Sequence, residues 1–165
     1  MKIISFLSAT IVASLIFVFA ALADDIDVID PDEAPELYCL ALNIYFEARG
    51  EPVAGQFAVA DVTLNRVESE AFPDTICDVV FECRRRDICQ FSWVNHIKDG
   101  QTPRIDESEA WFDAQLFAVE IYEWEVERGI SGGATHFHNR SVRPHWARVY
   151  RRTTSIGAHL FYARF

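Results

Sequence analysis

The sequence predicts an α+β fold that is mainly α. Three observations carry this reading. Segments with helical apolar spacing fill most of the chain, short strand-like runs appear only near its end, and there is no internal repeat. At 165 residues, one domain is expected once a targeting segment is set aside.

Residues 1–23 read as a signal peptide. Lys2 gives a positive start, Ile3 to Phe19 is almost wholly apolar, and Ala21-Leu22-Ala23 has the small-x-small pattern of a cleavage site. The run is also long enough to span a bilayer, so an uncleaved N-terminal anchor is the competing reading. Either way the remainder lies outside the cytoplasm, in the periplasm or cell envelope, and any membrane contact is limited to this segment. Residues 24–35 are rich in Asp and Pro and read as an acidic, solvated linker. Residues 36–165 form the expected domain, large enough for one modest core.

Within that domain, Leu37, Leu40, Ala41, Ile44 and Ala48 recur at helical spacing, which predicts a first helix over Glu36 to Arg49, ended by Gly50. Pro52 suits the start of a second helix running to about Val67. Apolar residues lie nearly all round that helix, so it is expected to be buried and central. Phe72 to Thr75 is a turn, and Ile76 to Phe81 fits either a short helix or a strand. Glu82 to Gly100 reads as irregular. A capping-box-like Asp106-x-x-Glu109 opens a third helix, expected over Glu107 to Arg128 and closed by Gly129. Ala134 to His138 and Leu160 to Arg164 look like short strands, with a loop or helical turn at Pro144-His145-Trp146.

Cys39, Cys77, Cys83 and Cys89 make an even set in an oxidising compartment, so disulfides are the default. Three pairings are open. Cys39–Cys77 with Cys83–Cys89 is favoured, the second closing a short loop around Arg84-Arg85-Arg86. No pair has the tight spacing of a zinc site.

The net charge of −10 is unevenly spread. Asp24 to Glu36 holds seven acids and no base, whereas after Glu127 there are seven Arg, four His and no acid. Nucleic acid fits poorly with the overall acidity and the export signal. The basic C-terminal region either faces an anionic polymer or pairs with acids of the earlier helices. The 13 Phe, 5 Tyr and 4 Trp suit both a core and a sugar cleft.

Glu47 is the most informative residue. It lies three residues after Ile44 and seven after Leu40, at the edge of the apolar stripe of the first helix. Partial burial there would raise its pKa and suit it to donate a proton near neutral pH. From periodicity alone, a surface Glu paired with an arginine remains the alternative.

A set of motifs adds to this. Cys39-Leu-Ala-Leu-Asn-Ile-Tyr-Phe-Glu47-Ala-Arg-Gly-Glu51-Pro is followed by Gly55-Gln56-x-Ala58-Val59-Ala60 and Leu64-Asn65-Arg66-Val67. Then come Phe72-Pro73-x-Thr75, Cys89-Gln90-Phe91-Ser92-Trp93, Gly132-Gly133-Ala134-x-His136-Phe137-x-Asn139 and Ile156-Gly157-x-His159-x-Phe161. Together they resemble the SleB-type cell-wall hydrolases, a family that includes spore cortex-lytic enzymes. The resemblance runs from Cys39 to the C-terminus. It implies a lysozyme/lytic-transglycosylase-like core with a small β element. It also implies cleavage of peptidoglycan between N-acetylmuramic acid and N-acetylglucosamine, with Glu47 as the catalytic acid and no cofactor. No separate wall-binding repeat domain like that of the spore enzymes is expected, and the four cysteines are a further departure; both bear on substrate preference.

Candidate substrate-binding residues from the same motifs are Gln90, Ser92, Trp93, His136, Phe137 and Asn139. Arg49 is a candidate to orient Glu47 or bind a lactyl carboxylate, with a salt bridge to Glu51 as its alternative. Ordinary glycosidases use two carboxyl groups, and no clear partner for Glu47 stands out: Glu51 and Asp61 are the options. A single-carboxylate route through the substrate's own C6 hydroxyl is the preferred reading, with hydrolysis by water close behind. The main rival is a zinc-dependent amidase or peptidase using His136, His138 and His145, since His-x-His on a strand puts both rings on one face. A non-catalytic wall-binding module is a third reading. A monomer acting on peptidoglycan is expected.

Overall fold

The computed structural model describes residues 29–85, 88–97, 103–105 and 109–164. The expected signal peptide, 1–23, lies outside the described residues. Among those described, no helix is long and apolar enough to cross a membrane.

The order is helices first and sheet last, an α+β fold that is mainly α, as expected. Helix α1 is Pro35–Ala48, α2 Val53–Val67, α3 Ile76–Val80 and α4 Glu109–Glu123. A small hairpin, β1 (Cys83–Arg85) and β2 (Ile88–Cys89), precedes a 3-10 turn at Ser92–His96. Strands β3 (His136–Asn139), β4 (Arg151–Ile156) and β5 (His159–Ala163) form an antiparallel sheet in the order β3-β5-β4.

Helix α1 starts on Pro35, whose missing N–H costs nothing in a first turn. It buries Leu40, Ala41, Ile44, Tyr45 and Ala48 against α2 and α4. Helix α2 is buried on nearly every side, as its composition predicts, and Pro52 sits at its N-cap. One face joins the main core through Phe57, Ala60 and Leu64, while Ala58 and Val62 pack under the sheet against Ala134 and Phe161. The Ile76 segment resolves as a helix because its first N–H groups are capped. Thr75 Oγ1 accepts from Asp78 at 3.1 Å, and the Glu36 carboxylate of α1 accepts from Ile76 and Cys77.

The disulfides are Cys39–Cys77 and Cys83–Cys89. The first fastens α1 to α3. The second closes the base of the β1–β2 hairpin, in a stretch read from sequence as irregular.

Three other expectations need correcting. The third helix stops at Glu123, not Arg128, because Glu125 takes a left-handed conformation (φ 54°) and the Val126 N–H turns back to the Glu120 carbonyl at 3.1 Å. The described part of the expected linker is tied down: Ile29 is buried and its N–H donates to Gln115 Oε1 of α4 at 2.9 Å. Strand β4 was not anticipated, since Arg151-Arg152-Thr-Thr-Ser carries no apolar alternation and only its pairing with β5 defines it.

Candidate active site

Glu47 occupies the last turn of α1 and is half-buried. Burial among apolar neighbours pushes its carboxyl up to about 7, against a smaller opposing pull from the Arg66 guanidinium. Its protonated form therefore persists near neutral pH.

The ground around it is built by residues one turn away. Asn43, four residues before Glu47 and on the same helix face, is fully buried. Its amide donates to Thr63 Oγ1 of α2 at 2.9 Å, and its carbonyl accepts from Trp93 Nε1 at 3.4 Å. The Trp93 ring stacks on Phe46 with centroids 4.6 Å apart and planes 19° apart. Thus the 3-10 turn after the hairpin is held against the end of α1, with the half-exposed Trp93 indole against Asn43 and Phe46, the residues one turn and one position before the acid.

Arg66 anchors the other side. It is 4% exposed, and its Nε donates to the Thr135 carbonyl at 2.8 Å. Its guanidinium lies 5.3 Å from the Phe72 ring centroid and 5.0 Å from that of Phe91. Burial lowers its pKa to about 10, opposed by Glu82 and then Glu47. One guanidinium nitrogen, Nη1, and the Glu82 Oε2 are both buried without a hydrogen-bond partner. Arg66 thus sits electrostatically between two carboxyl groups. Sequence reading quoted it within Asn-Arg-Val but gave it no role. The available signal was a charged residue on a helix otherwise buried all round.

His136 on β3 borders the same cluster. Burial first, then Arg66, Arg164 and Arg84, lower its pKa to about 4, so the ring is neutral. It meets Phe72 at 5.9 Å, Trp146 at 5.2 Å and Tyr150 at 4.8 Å. None of these three rings is among the binding candidates read from the sequence.

The other expected binding residues divide. Gln90 is half-buried at the base of the hairpin, where its N–H donates to the Glu82 carbonyl at 3.0 Å. Ser92 is exposed at the start of the 3-10 turn. Phe137 points inward, 5.8 Å from Phe161 and 6.4 Å from Phe91, and links the two core clusters. Asn139 is exposed, and its Oδ1 accepts from the Ser141 N–H at 3.0 Å to close the turn after β3. Arg49 is exposed and lies over the Tyr45 ring at 4.8 Å.

Neither option for a second carboxylate is free. Glu51 Oε2 accepts from the Ala158 N–H at 2.7 Å, locking the turn after α1 to the β4–β5 turn. Asp61 is fully buried, pairs with Arg128, and accepts from the N–H groups of Gly129 and Ser131 at 3.0 and 3.1 Å. Asn65 extends that brace to the Ala134 carbonyl at 2.9 Å.

The histidine rival gains nothing from the geometry. His138 Nδ1 is 2.8 Å from the Asn139 carbonyl and its Nε2 is 3.2 Å from the Tyr162 hydroxyl, so both ring nitrogens are engaged. No group of three His, Cys, Asp or Glu side chains among the described residues is arranged to hold a metal ion. Surface cavities among the described residues include two that lie elsewhere. One lies between α2, α3 and the end of α4; the other is bordered by Phe72, Thr135 and Arg164. Glu47 lines neither.

Comparison with known proteins agrees with this architecture. The chain is 35% identical over 130 residues to a spore cortex-lytic enzyme of Oceanobacillus iheyensis, covering 76% of this chain and 41% of that protein. A Bacillus cereus spore cortex-lytic enzyme is 33% identical over 130 residues, covering 76% and 43%. The chain therefore spans about two fifths of the length of these relatives. Among solved structures, the catalytic domain of the Bacillus cereus SleB protein superposes with a TM-score of 0.57 at 32% identity, over 78% of this chain and 89% of that one. The catalytic domain of a germination-specific lytic transglycosylase, SleB, from Bacillus anthracis gives the same score and identity, over 78% and 93%. The family described as cell wall hydrolase matches residues 50–162, beginning just after Glu47 and running through the sheet. That match covers more than half of the chain, and the chain belongs to the cell wall hydrolase family.

Proposed function

We propose that this protein cleaves the glycan strands of peptidoglycan between N-acetylmuramic acid and N-acetylglucosamine, with Glu47 as its acid and base. The observation that carries the reading is the half-buried Glu47 carboxyl, held protonated up to about pH 7 by burial. The relatives support the substrate, because their names describe enzymes that lyse spore cortex.

In the proposed step Glu47 gives its proton to the bridging oxygen as the C1–O bond of muramic acid breaks. The carboxylate that forms is stabilised by Arg66. It then takes the proton of the C6 hydroxyl while O6 bonds to C1, leaving a 1,6-anhydro end and restoring the acid. This needs one carboxyl group, in keeping with the structural use of Glu51 and Asp61. Trp93 is the proposed stacking surface for a sugar ring, with Gln90 and Ser92 at the same edge. Arg49, His136, Phe137 and Asn139 were further candidates. His136 borders the Arg66 cluster, while Phe137 also packs in the core and Asn139 also closes the turn after β3. The two disulfides favour an exported protein.

Digestion of purified peptidoglycan by the wild type and by Glu47→Gln tests this. The wild type is expected to release muropeptides with anhydro ends and the variant to lose activity by at least 100-fold. Full lysis by Glu47→Gln would remove the mechanism. Products heavier by one water would replace the anhydro outcome with hydrolysis.

A further inference from the structure

Seven arginines and no acid follow Glu127. Arg128 is paired with Asp61 and Glu68. Among the described residues no ion pair holds Arg140, Arg143, Arg148, Arg151, Arg152 or Arg164, and all six are exposed. The helix acids do not neutralise them.

Strand register gathers most of these charges on one side. His136 and Arg152 both pair with Tyr162 across the sheet, so the three side chains share a face. Arg140 follows His138 by two residues on that face and donates to Ser155 Oγ, and Arg164 follows Tyr162 by two. The 3-10 turn His145–Arg148 lies over the same face. Its Trp146 ring meets His136 at 5.2 Å, His138 at 5.6 Å and Tyr162 at 5.4 Å. Trp146 and Tyr150 stack 5.7 Å apart at 28°, both half-exposed, with Arg148 between them in sequence. The opposite face of the sheet carries Phe161 into the core against Ala58 and Val62.

We propose that this outer sheet face is a docking surface for peptidoglycan, whose free carboxylates meet Arg148, Arg152 and Arg164 and whose sugar rings rest against Trp146 and Tyr150. The occupant follows from charge and shape together. A cluster of unpaired cations attracts a polyanion, and paired half-exposed aromatics favour one made of rings. Lactyl and stem-peptide carboxylates supply the charge. The face also adjoins the acid, because His136 links it through Phe72 and Arg66 to the Glu47 region. The inference rests on the proposed substrate but not on the proposed chemistry.

Sedimentation of the full chain carrying Glu47→Gln with insoluble wall sacculi tests it. Binding is expected to weaken as salt rises. Adding Arg148→Ala, Arg152→Ala and Arg164→Ala together is expected to weaken binding at least tenfold with an unchanged melting temperature, since none of the three makes an ion pair among the described residues. Sacculi whose carboxyls have been amidated should bind the Glu47→Gln chain as poorly. Equal binding by the triple-arginine variant, no effect of amidation, or tighter binding to anionic phospholipid vesicles than to sacculi would each overturn the proposal. Digestion by the wild type is scored separately. Arginine-dependent sedimentation with no digestion removes the Glu47 reading alone. Digestion with arginine-independent sedimentation removes the docking face alone.

Discussion

Arg66 of α2 donates its Nε to the Thr135 carbonyl at 2.8 Å, one residue before β3 begins. This bond joins the helical half of the molecule to the sheet at the point where Glu47, Glu82 and His136 all feel the same buried cation.

Removing that cation should shift Glu47. Arg66→Met takes away a positive charge that favours the carboxylate, so the Glu47 pKa should rise above about 7. The alkaline limb of activity should move to higher pH while the maximal rate falls. A carbon-13 titration of the Glu47 carboxyl reads the first effect without needing turnover. The orphaned Thr135 carbonyl should cost about 1–3 kcal/mol of stability.

Glu82→Gln should act with the opposite sign. Glu82 shares Arg66 with Glu47, so its loss leaves the cation less compensated and the Glu47 pKa falls. The alkaline limb should move toward lower pH. Shifts of the same direction in both variants would show that Glu82 does not act through Arg66.

The raised Glu47 pKa carries a stability cost of known sign. The folded state binds this proton more tightly than the unfolded chain, so the cost is absent below about pH 4.5 and grows until the pH passes about 7. Glu47→Gln should therefore match the wild type at pH 4 and exceed it by roughly 1–3 kcal/mol at pH 8. Urea unfolding at the two pH values checks this. His136 works in the other direction. Its folded pKa is lowered to about 4, so it destabilises the fold as pH falls through 6.5 toward 4.

Gly157 should not tolerate a side chain. Its φ is +55°, and a Cβ there would collide with the Glu51 carboxylate that accepts the Ala158 N–H. Gly157→Ala should lower stability by about 2–4 kcal/mol, read as a drop in melting temperature. Glu51→Ala should relieve the collision, so the double variant should lose less than the sum of the two single changes.

Opening Cys39–Cys77 should cost about 2–4 kcal/mol, because it fastens α3 to α1 across 38 residues of chain. The Cys39→Ala/Cys77→Ala double variant should show it in thermal melts. The Cys83–Cys89 bridge spans only six residues, so its removal should cost less.

Local rules were enough for much of this molecule. Periodicity placed α1 and α2, Pro52 and Gly50 marked the break between them, and cysteine parity in a chain expected to be exported pointed to the disulfides. Glu47 at the edge of the α1 stripe followed from helical spacing alone, as did the expectation that partial burial would raise its pKa. Those signals are contained within one element. Tertiary structure decided whatever depends on two. Strand β4 exists because β5 pairs with it, since its own residues have no apolar alternation. Glu51 and Asp61 became braces because the β4–β5 turn and the 129–131 loop present N–H groups to them. Arg66 acquired its role only when β3 supplied a carbonyl and the segment before β1 supplied Glu82. Charge, burial and hydrogen-bond satisfaction are properties of an environment, and for these side chains the environment comes from parts of the chain far away in sequence.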